Sequence, residues 1–318
     1  IDENLFAERV SQIEKMQGVV PRTVTDLRRV MEDRDIDAVV VTNPNHWHAL
    51  TGVWAMQAGK DVYVEKPVSH TIPEGRKLIE AAEKYRRIAA TGSQYRSNPM
   101  VRSAIDFVRG GGIGKVYMAK CVVYRPRQSI GRGRTVDVPA GVNFDLWLGP
   151  APLRPFIDNR FHYNWHWFWD TGNGETGNNG PHSADMARWA LGKYEHPKRV
   201  QSMGGMYGFD SDQETPTVQL SCLEYADGAL VQIEVRNLNT NLDGEVREGV
   251  IFYGDAGRVR LRRGCAGLGA HHPYREGEVS SRHRLLGRVR HAGPGGQEFR
   301  ASEQTGVREE SCPTGSTP

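Results

Sequence analysis

Apolar positions set out the first elements. Phe6, Val10 and Ile13 recur at the spacing of one helix face, with Asp2 as a cap ahead of them and Gly18 as a stop behind. Leu27, Val30 and Met31 predict a second helix after Thr25. The spacing then changes. IDAVVVT (36–42) is a continuous apolar run of strand length, as expected for a strand buried on both faces of a parallel sheet. HWHALTGVWAMQAG predicts a helix, DVYVEKP a strand, PEGRKLIEAAEKYRR a helix and IAATG a strand. The order βαβαβ predicts an α/β chain with a Rossmann-like, doubly wound parallel sheet.

The period changes again from about residue 115. Val218, Leu220 and Cys222 alternate with polar residues, as do Val231, Ile233 and Val235, and Asp227-Gly228 between them signals a hairpin. These patterns predict an α+β domain with an open, mainly antiparallel sheet. GGGIGK (110–115) has no Ser or Thr after its lysine, so it reads as a glycine turn between helix and strand rather than a P-loop. The expected division is a partial nucleotide-binding domain over 1–97, a substrate and oligomerisation domain over 98–257, and an atypical tail over 258–318.

The two ends depart from this pattern. A nucleotide-binding sheet opens with strand, GxGxxG and helix, but this chain begins at a helix start; the first βαβ element is expected to fall before Ile1. Strand periodicity fades near Arg260, and 258–318 is expected to be disordered or non-native sequence. The formal charge of +3 also belongs to that tail. Its eleven Arg and six Glu give +5, leaving the preceding residues at −2, without the basic footprint that nucleic acid requires. No run is long and apolar enough to cross a bilayer. The expected compartment is the cytoplasm, or the periplasm after export. Cys121, Cys222, Cys265 and Cys312 are too scattered for a disulfide framework or a zinc ribbon.

Candidate chemistry gathers at strand ends. TNPNHWH (42–48) closes one predicted strand and EKP (65–67) the next, so both belong at the carboxyl edge of the sheet, where α/β proteins bind ligands. Lys66 there is either a proton-transfer group or a solvated lysine paired with Glu65. FHYNWHWFWDTGNGETGNNGPHSAD (161–185) places a ring at every odd position from 161 to 169. That period of two suits a strand burying one aromatic face, and it equally suits a wall of rings against a sugar, Trp165 and Trp169 foremost. His182 and Asp185, three apart, share one helix face that the Asn178–Gly180 turn would bring to the crevice. The histidines at 46, 48, 162, 166 and 182 lack a neighbouring Cys and an HExxH pattern, so no metal site is expected.

The segments AVVVTNPNHWHALTGVWAMQAGKDVYVEKPVSHT, GSQYRSNP, GIGKV and GNNGPHSADMARWALG resemble, in order, the glucose–fructose oxidoreductase/inositol dehydrogenase (Gfo/Idh/MocA) family. The resemblance implies an NAD- or NADP-dependent enzyme that moves a hydride between nicotinamide and a secondary hydroxyl of a sugar, polyol or derivative. It implies Lys66 and His182 as catalytic groups. Thr42, Asn43, Pro44, Asn45, His48, Glu65, Lys66 and Gln94 would meet the cofactor. Arg96, Trp165, Trp169, Asn178, His182 and Asp185 would meet the substrate. A homo-oligomer through the open sheet is expected, with neither nucleic acid nor membrane as partner. Two other functions remain open: a glycosidase using bound NAD for transient oxidation and elimination, and a catalytically silent sugar-binding module.

Overall fold

The computed structural model describes residues 1–238 and 246–262, and the backbone of a strand at 268–271. Helix α1 (Phe6–Gln17) follows a short 3-10 turn in which the Asp2 side chain accepts from the Asn4 N–H, and it stops at Gly18 with φ 73°. Helix α2 (Arg28–Glu32) follows Leu27 and takes in Val30 and Met31. Strands β1 (Ala38–Val41), β2 (Asp61–Val64) and β3 (Ala89–Thr91) then form a parallel sheet in that order, linked by α3 (Asn45–Gln57) and α4 (Ile72–Tyr85). Thr71 and Glu74 close a capping box at the start of α4, with Pro73 in its first turn.

Both helices pack on one face of this sheet: Ala49, Ala55 and Met56 of α3 and Leu78 and Ala81 of α4 share a core with Val41, Val62 and Val64. Among the described residues the other face has no such cover, and Val40 is 66% exposed. The expectation that β1 is buried on both faces is therefore corrected. A continuous apolar run records strand propensity, but burial depends on which layers are present to cover it.

Helix α5 (Pro99–Arg109), capped by Asn98, leads through the Gly111 and Gly114 turns into β4 (Val116–Tyr124). Short helices α6 (Phe144–Leu148) and α7 (Gly174–Asn178) precede α8 (Gly180–Ala190). Strands β5 (Arg199–Gly205), β6 (Val218–Glu224), β7 (Leu230–Arg236), β8 (Glu248–Gly254), β9 (Gly257–Arg262) and β10 (Leu268–His271) complete a second sheet of order β10-β9-β8-β4-β7-β6-β5. All its pairings are antiparallel except β4 with β7. Helices α5 and α8 cover one face, burying Ile105, Val108, Met186 and Ala187 against Ala119, Cys121, Val231 and Phe252.

Register decides what faces those helices. Ser221 pairs with Ile233 and Leu223 with Val231, so the helix-facing side of β6 is Gln219, Ser221 and Leu223. Leu220 and Cys222, the apolar positions of the alternation, lie on the opposite face, which is helix-free among the described residues. The sheet continues past residue 257. β9 begins there and pairs with β8, and β10 pairs with β9, because Val259 and Leu261 still have the sheet's core to enter. The rest of the predicted tail lies outside the described residues.

The aromatic ladder is not a strand. His162–Trp167 is a 3-10 helix, in which positions three apart share a side. Tyr163 and His166 therefore lie together, ring centroids 4.4 Å apart, while Trp165 stacks on His166 at 3.6 Å.

Candidate active site

Two strand ends, a 3-10 turn and the start of one helix converge on one crevice. Lys66 follows β2; Gly92 and Ser93 follow β3; Tyr95 and Arg96 ride on a 3-10 turn over Gln94–Ser97; His182 and Asp185 occupy the first turns of α8. Lys66, Pro67, Tyr95, His182 and Asp185 are among the residues lining a cavity of about 310 Å³ between them. The cavity thus lies at the carboxyl edge of the parallel sheet, the position where open α/β sheets bind their ligands.

The Lys66 ammonium donates to the main-chain oxygen of Asn178 at 2.6 Å and to its Oδ1 at 3.1 Å. Asn178 in turn donates through Nδ2 to the Tyr163 hydroxyl at 3.1 Å. His182 is buried, with its ring edge-on to Tyr95 at 5.4 Å. Asp185 receives the Arg96 guanidinium on both oxygens at 2.7–3.0 Å, and that bond holds the Arg96 charge above its ordinary strength.

A second set of contacts fixes the crevice walls. Asn45 donates to Asn173 Oδ1 at 3.0 Å, Asn173 donates to the His70 carbonyl, and the Trp47 indole donates to the Trp147 carbonyl at 3.0 Å. His48 bridges the carbonyls of Asn43 and Pro67, and burial lowers its pKa. Within α7, fully buried Glu175 accepts from Arg127 at 2.9 and 3.2 Å and from the carboxamides of Asn179 and Asn237. Burial is the largest single influence and works against the Arg127 charge, but the hydrogen bonds and charge of Glu175, together with Tyr163, raise its pKa on balance. Arg127 lies 5.6 Å from the Tyr163 ring centre, so the pair supports the residues that hold Lys66.

The residues expected from sequence divide by position. Lys66, His182, Asp185, Asn178 and Arg96 come together. Asn45 and His48 are buried and spend their side chains tying turns to one another, whereas Thr42 and Gln94 are exposed at the sheet edge, with Asn43, Pro44 and Glu65 half-buried beside them. Trp165 and Trp169 are not among the cavity-lining residues; Trp169 is 52% exposed and its main-chain N–H is held by Glu214. Tyr95, Tyr163, Arg127 and Glu175 were not singled out by sequence reading. Tyr163 stood in the odd-numbered ladder and Tyr95 between two chosen residues, but only the 3-10 turns bring their rings to the site. Among the described residues, no group of three or more metal-ligating side chains forms.

For a nicotinamide cofactor the donor set fits in part. Thr42, Asn43, Glu65 and Gln94 offer amide, hydroxyl and carboxylate groups at three adjacent strand ends, suited to a ribose and a carboxamide. Gly92 keeps that edge open: a Cβ there would stand 2.6 Å from a Glu65 carboxylate oxygen.

A parallel βαβαβ layer with a lysine at its carboxyl edge, joined to an open mixed sheet whose covering helix α8 supplies a histidine and an aspartate, defines a two-domain α/β oxidoreductase. Residues 5–93 match the profile described as an oxidoreductase family with an NAD-binding Rossmann fold, and residues 128–254 match that family's C-terminal alpha/beta domain. The chain belongs to the Gfo/Idh/MocA oxidoreductase family. It is 24% identical to a levoglucosan dehydrogenase of Pseudarthrobacter phenanthrenivorans, over 80% of this chain and 68% of that protein. It is 34% identical to an inositol 2-dehydrogenase of Saccharopolyspora erythraea over 34% of this chain and 32% of that protein. A dehydrogenase from Bordetella pertussis, solved with NADH and UDP-GlcNAcA, shares the fold at a TM-score of 0.59 and 20% identity, covering 80% of this chain and 66% of that one. A levoglucosan dehydrogenase complex with NADH and L-sorbose gives 0.60 and 18%, over 84% and 68%. The chain thus spans about two thirds of these longer relatives and about a third of the inositol dehydrogenase. Among the described residues, no helix is long and apolar enough to cross a membrane.

Proposed function

We propose that the protein oxidises a secondary hydroxyl of a sugar or polyol, with NAD or NADP as hydride acceptor. The observation that carries this reading is the position of Lys66, at the strand end where the cofactor edge and the cavity meet, held by Asn178 and flanked by His182 and Asp185. The sugar and inositol dehydrogenases among its relatives support it.

Bound nicotinamide supplies the acceptor for the hydride. The chain's own residues handle the hydroxyl. Lys66 takes the hydroxyl proton at Nζ, and the two Asn178 oxygens aim the ammonium that results without adding charge. His182 donates to or accepts from the substrate beside it, and Tyr95 gives an apolar ring for the C–H face of a sugar. Thr42, Asn43, Glu65 and Gln94 would hold the nicotinamide end of the cofactor.

The reading includes a homo-oligomer through the helix-free face of the second sheet. Met203, 72% exposed, and Leu220 support this, since β5 and β6 present them away from the helices.

The test is hydride transfer by the full-length protein to NAD or NADP across a panel of neutral sugars and polyols. Lys66→Ala is expected to keep the fold while lowering single-turnover hydride transfer by about a hundred- to ten-thousand-fold. A variant that keeps more than about a tenth of the rate removes Lys66 from proton transfer. No reduced cofactor with any panel member overturns the activity.

A further inference from the structure

Asp185, on the cavity wall, is held in an ion pair by Arg96 behind it. Arg96 sends Nε to both oxygens of Asp185, at 3.0 and 2.9 Å, and Nη2 to Oδ1 at 2.7 Å. The guanidinium lies 5.2 Å from the Trp189 ring centre, so it is fixed from a second side. The pair is half-open to solvent, with side chains 42% and 26% exposed, and Asp185 lines the cavity directly. Among the cavity-lining residues the formally charged ones are Asp185 and Lys66.

We propose that the Arg96–Asp185 pair is a charge filter, making the site accept neutral sugars and polyols over sugar acids. The inference rests on the sugar-oxidising reading and adds the substrate's charge class to it. A carboxylate is the natural bidentate partner of a guanidinium, but here Asp185 holds that fork already. A ligand carboxylate reaching this wall must displace Asp185 or lie against it as a like charge, and either is unfavourable in a partly desolvated cleft. A hydroxyl meets neither obstacle. Asp185 Oδ2, which takes a single bond from Arg96, keeps a lone pair that accepts an O–H, and Arg96 Nη1, which Asp185 does not engage, remains a donor. The pair thus keeps hydrogen-bonding capacity while cancelling net charge.

The experiment compares equilibrium binding of D-glucose and D-glucuronate, which differ only in a terminal hydroxymethyl or carboxylate group. The wild-type protein is expected to favour glucose. Asp185→Asn keeps the side chain's size, releases Arg96 and should move the binding ratio towards glucuronate by about tenfold or more. Arg96→Gln leaves the carboxylate uncompensated and should move the ratio the other way. If circular dichroism shows that Asp185→Asn fails to fold, Arg96→Gln decides. A wild-type protein that binds glucuronate as tightly as glucose, or ratios unchanged in the variants, overturns the filter while leaving the sugar reading intact. Folded proteins that bind neither sugar overturn the sugar reading and the filter together.

Discussion

Lys66 and Asn178 meet across 112 positions of chain, the ammonium bonding to both the main-chain and the side-chain oxygen of one asparagine. Because Nδ2 of that asparagine donates to Tyr163, the carboxamide cannot turn over without pointing its N–H groups at the ammonium. The sequence places an uncharged acceptor, not a carboxylate, beside the lysine.

Asn178→Asp tests what that neutrality does. A carboxylate beside the ammonium favours its protonated form, so the pH at which a neutral base becomes available should rise by about one unit. The rising limb of kcat/KM against pH is expected to move upward in the variant. An unmoved limb would mean that another group controls the profile.

His166 should make the fold acid-sensitive. Its Nδ1 donates to the Tyr163 carbonyl at 2.6 Å, and burial lowers its pKa from the ordinary 6.5 to about 4. Between those values the unfolded chain binds a proton that the folded chain refuses. The contribution to stability is therefore complete above about pH 6.5 and drains away as pH falls towards 4. Burial lowers His46 and His48 as well, with the same sign. Between pH 7 and 5, His166 alone should cost about 2 kcal/mol. Urea unfolding of wild type and His166→Gln at both pH values checks this: equal losses in the two proteins would count against it.

Glu175→Ala should be severely destabilising. The carboxylate is fully buried and is the charge partner of Arg127, whose side chain is itself largely buried. Removing it strands the guanidinium and two carboxamides, a change that typically costs about 3–5 kcal/mol. Replacing both partners, as Arg127→Met with Glu175→Leu, should recover part of that loss. Denaturant midpoints for the three proteins decide, and a single variant as stable as wild type refutes the claim.

Leu220→Glu should weaken self-association without unfolding the sheet, because Leu220 lies on the helix-free face rather than in the core. Sedimentation velocity at matched concentrations is the measurement. A wild-type protein that remains monomeric removes the face as an interface between copies.

Much of the site was legible before any coordinates. EKP, the TNPNHWH turn and the His182/Asp185 pair sit at strand and helix ends, where local spacing already dictates which way side chains point. What escaped were Tyr163, Arg127 and Glu175. Tyr163 was hidden by a period-two run of rings that the backbone resolves as a three-residue turn. Arg127 and Glu175 are 48 positions apart and look like ordinary surface charges until burial pairs them.

By itself, then, the sequence determined the element order, the βαβαβ layer, the hairpin at Asp227-Gly228 and the motifs at the strand ends. These follow from periodicity, caps and turn residues acting over a few positions. Only the tertiary structure decided that Val40 is exposed, that Leu220 faces away from the helices, that β9 and β10 extend the sheet, and that Asn178 rather than an acid holds Lys66. Those outcomes depend on strand register and on which layers meet, and long-range packing leaves little local signature in the chain.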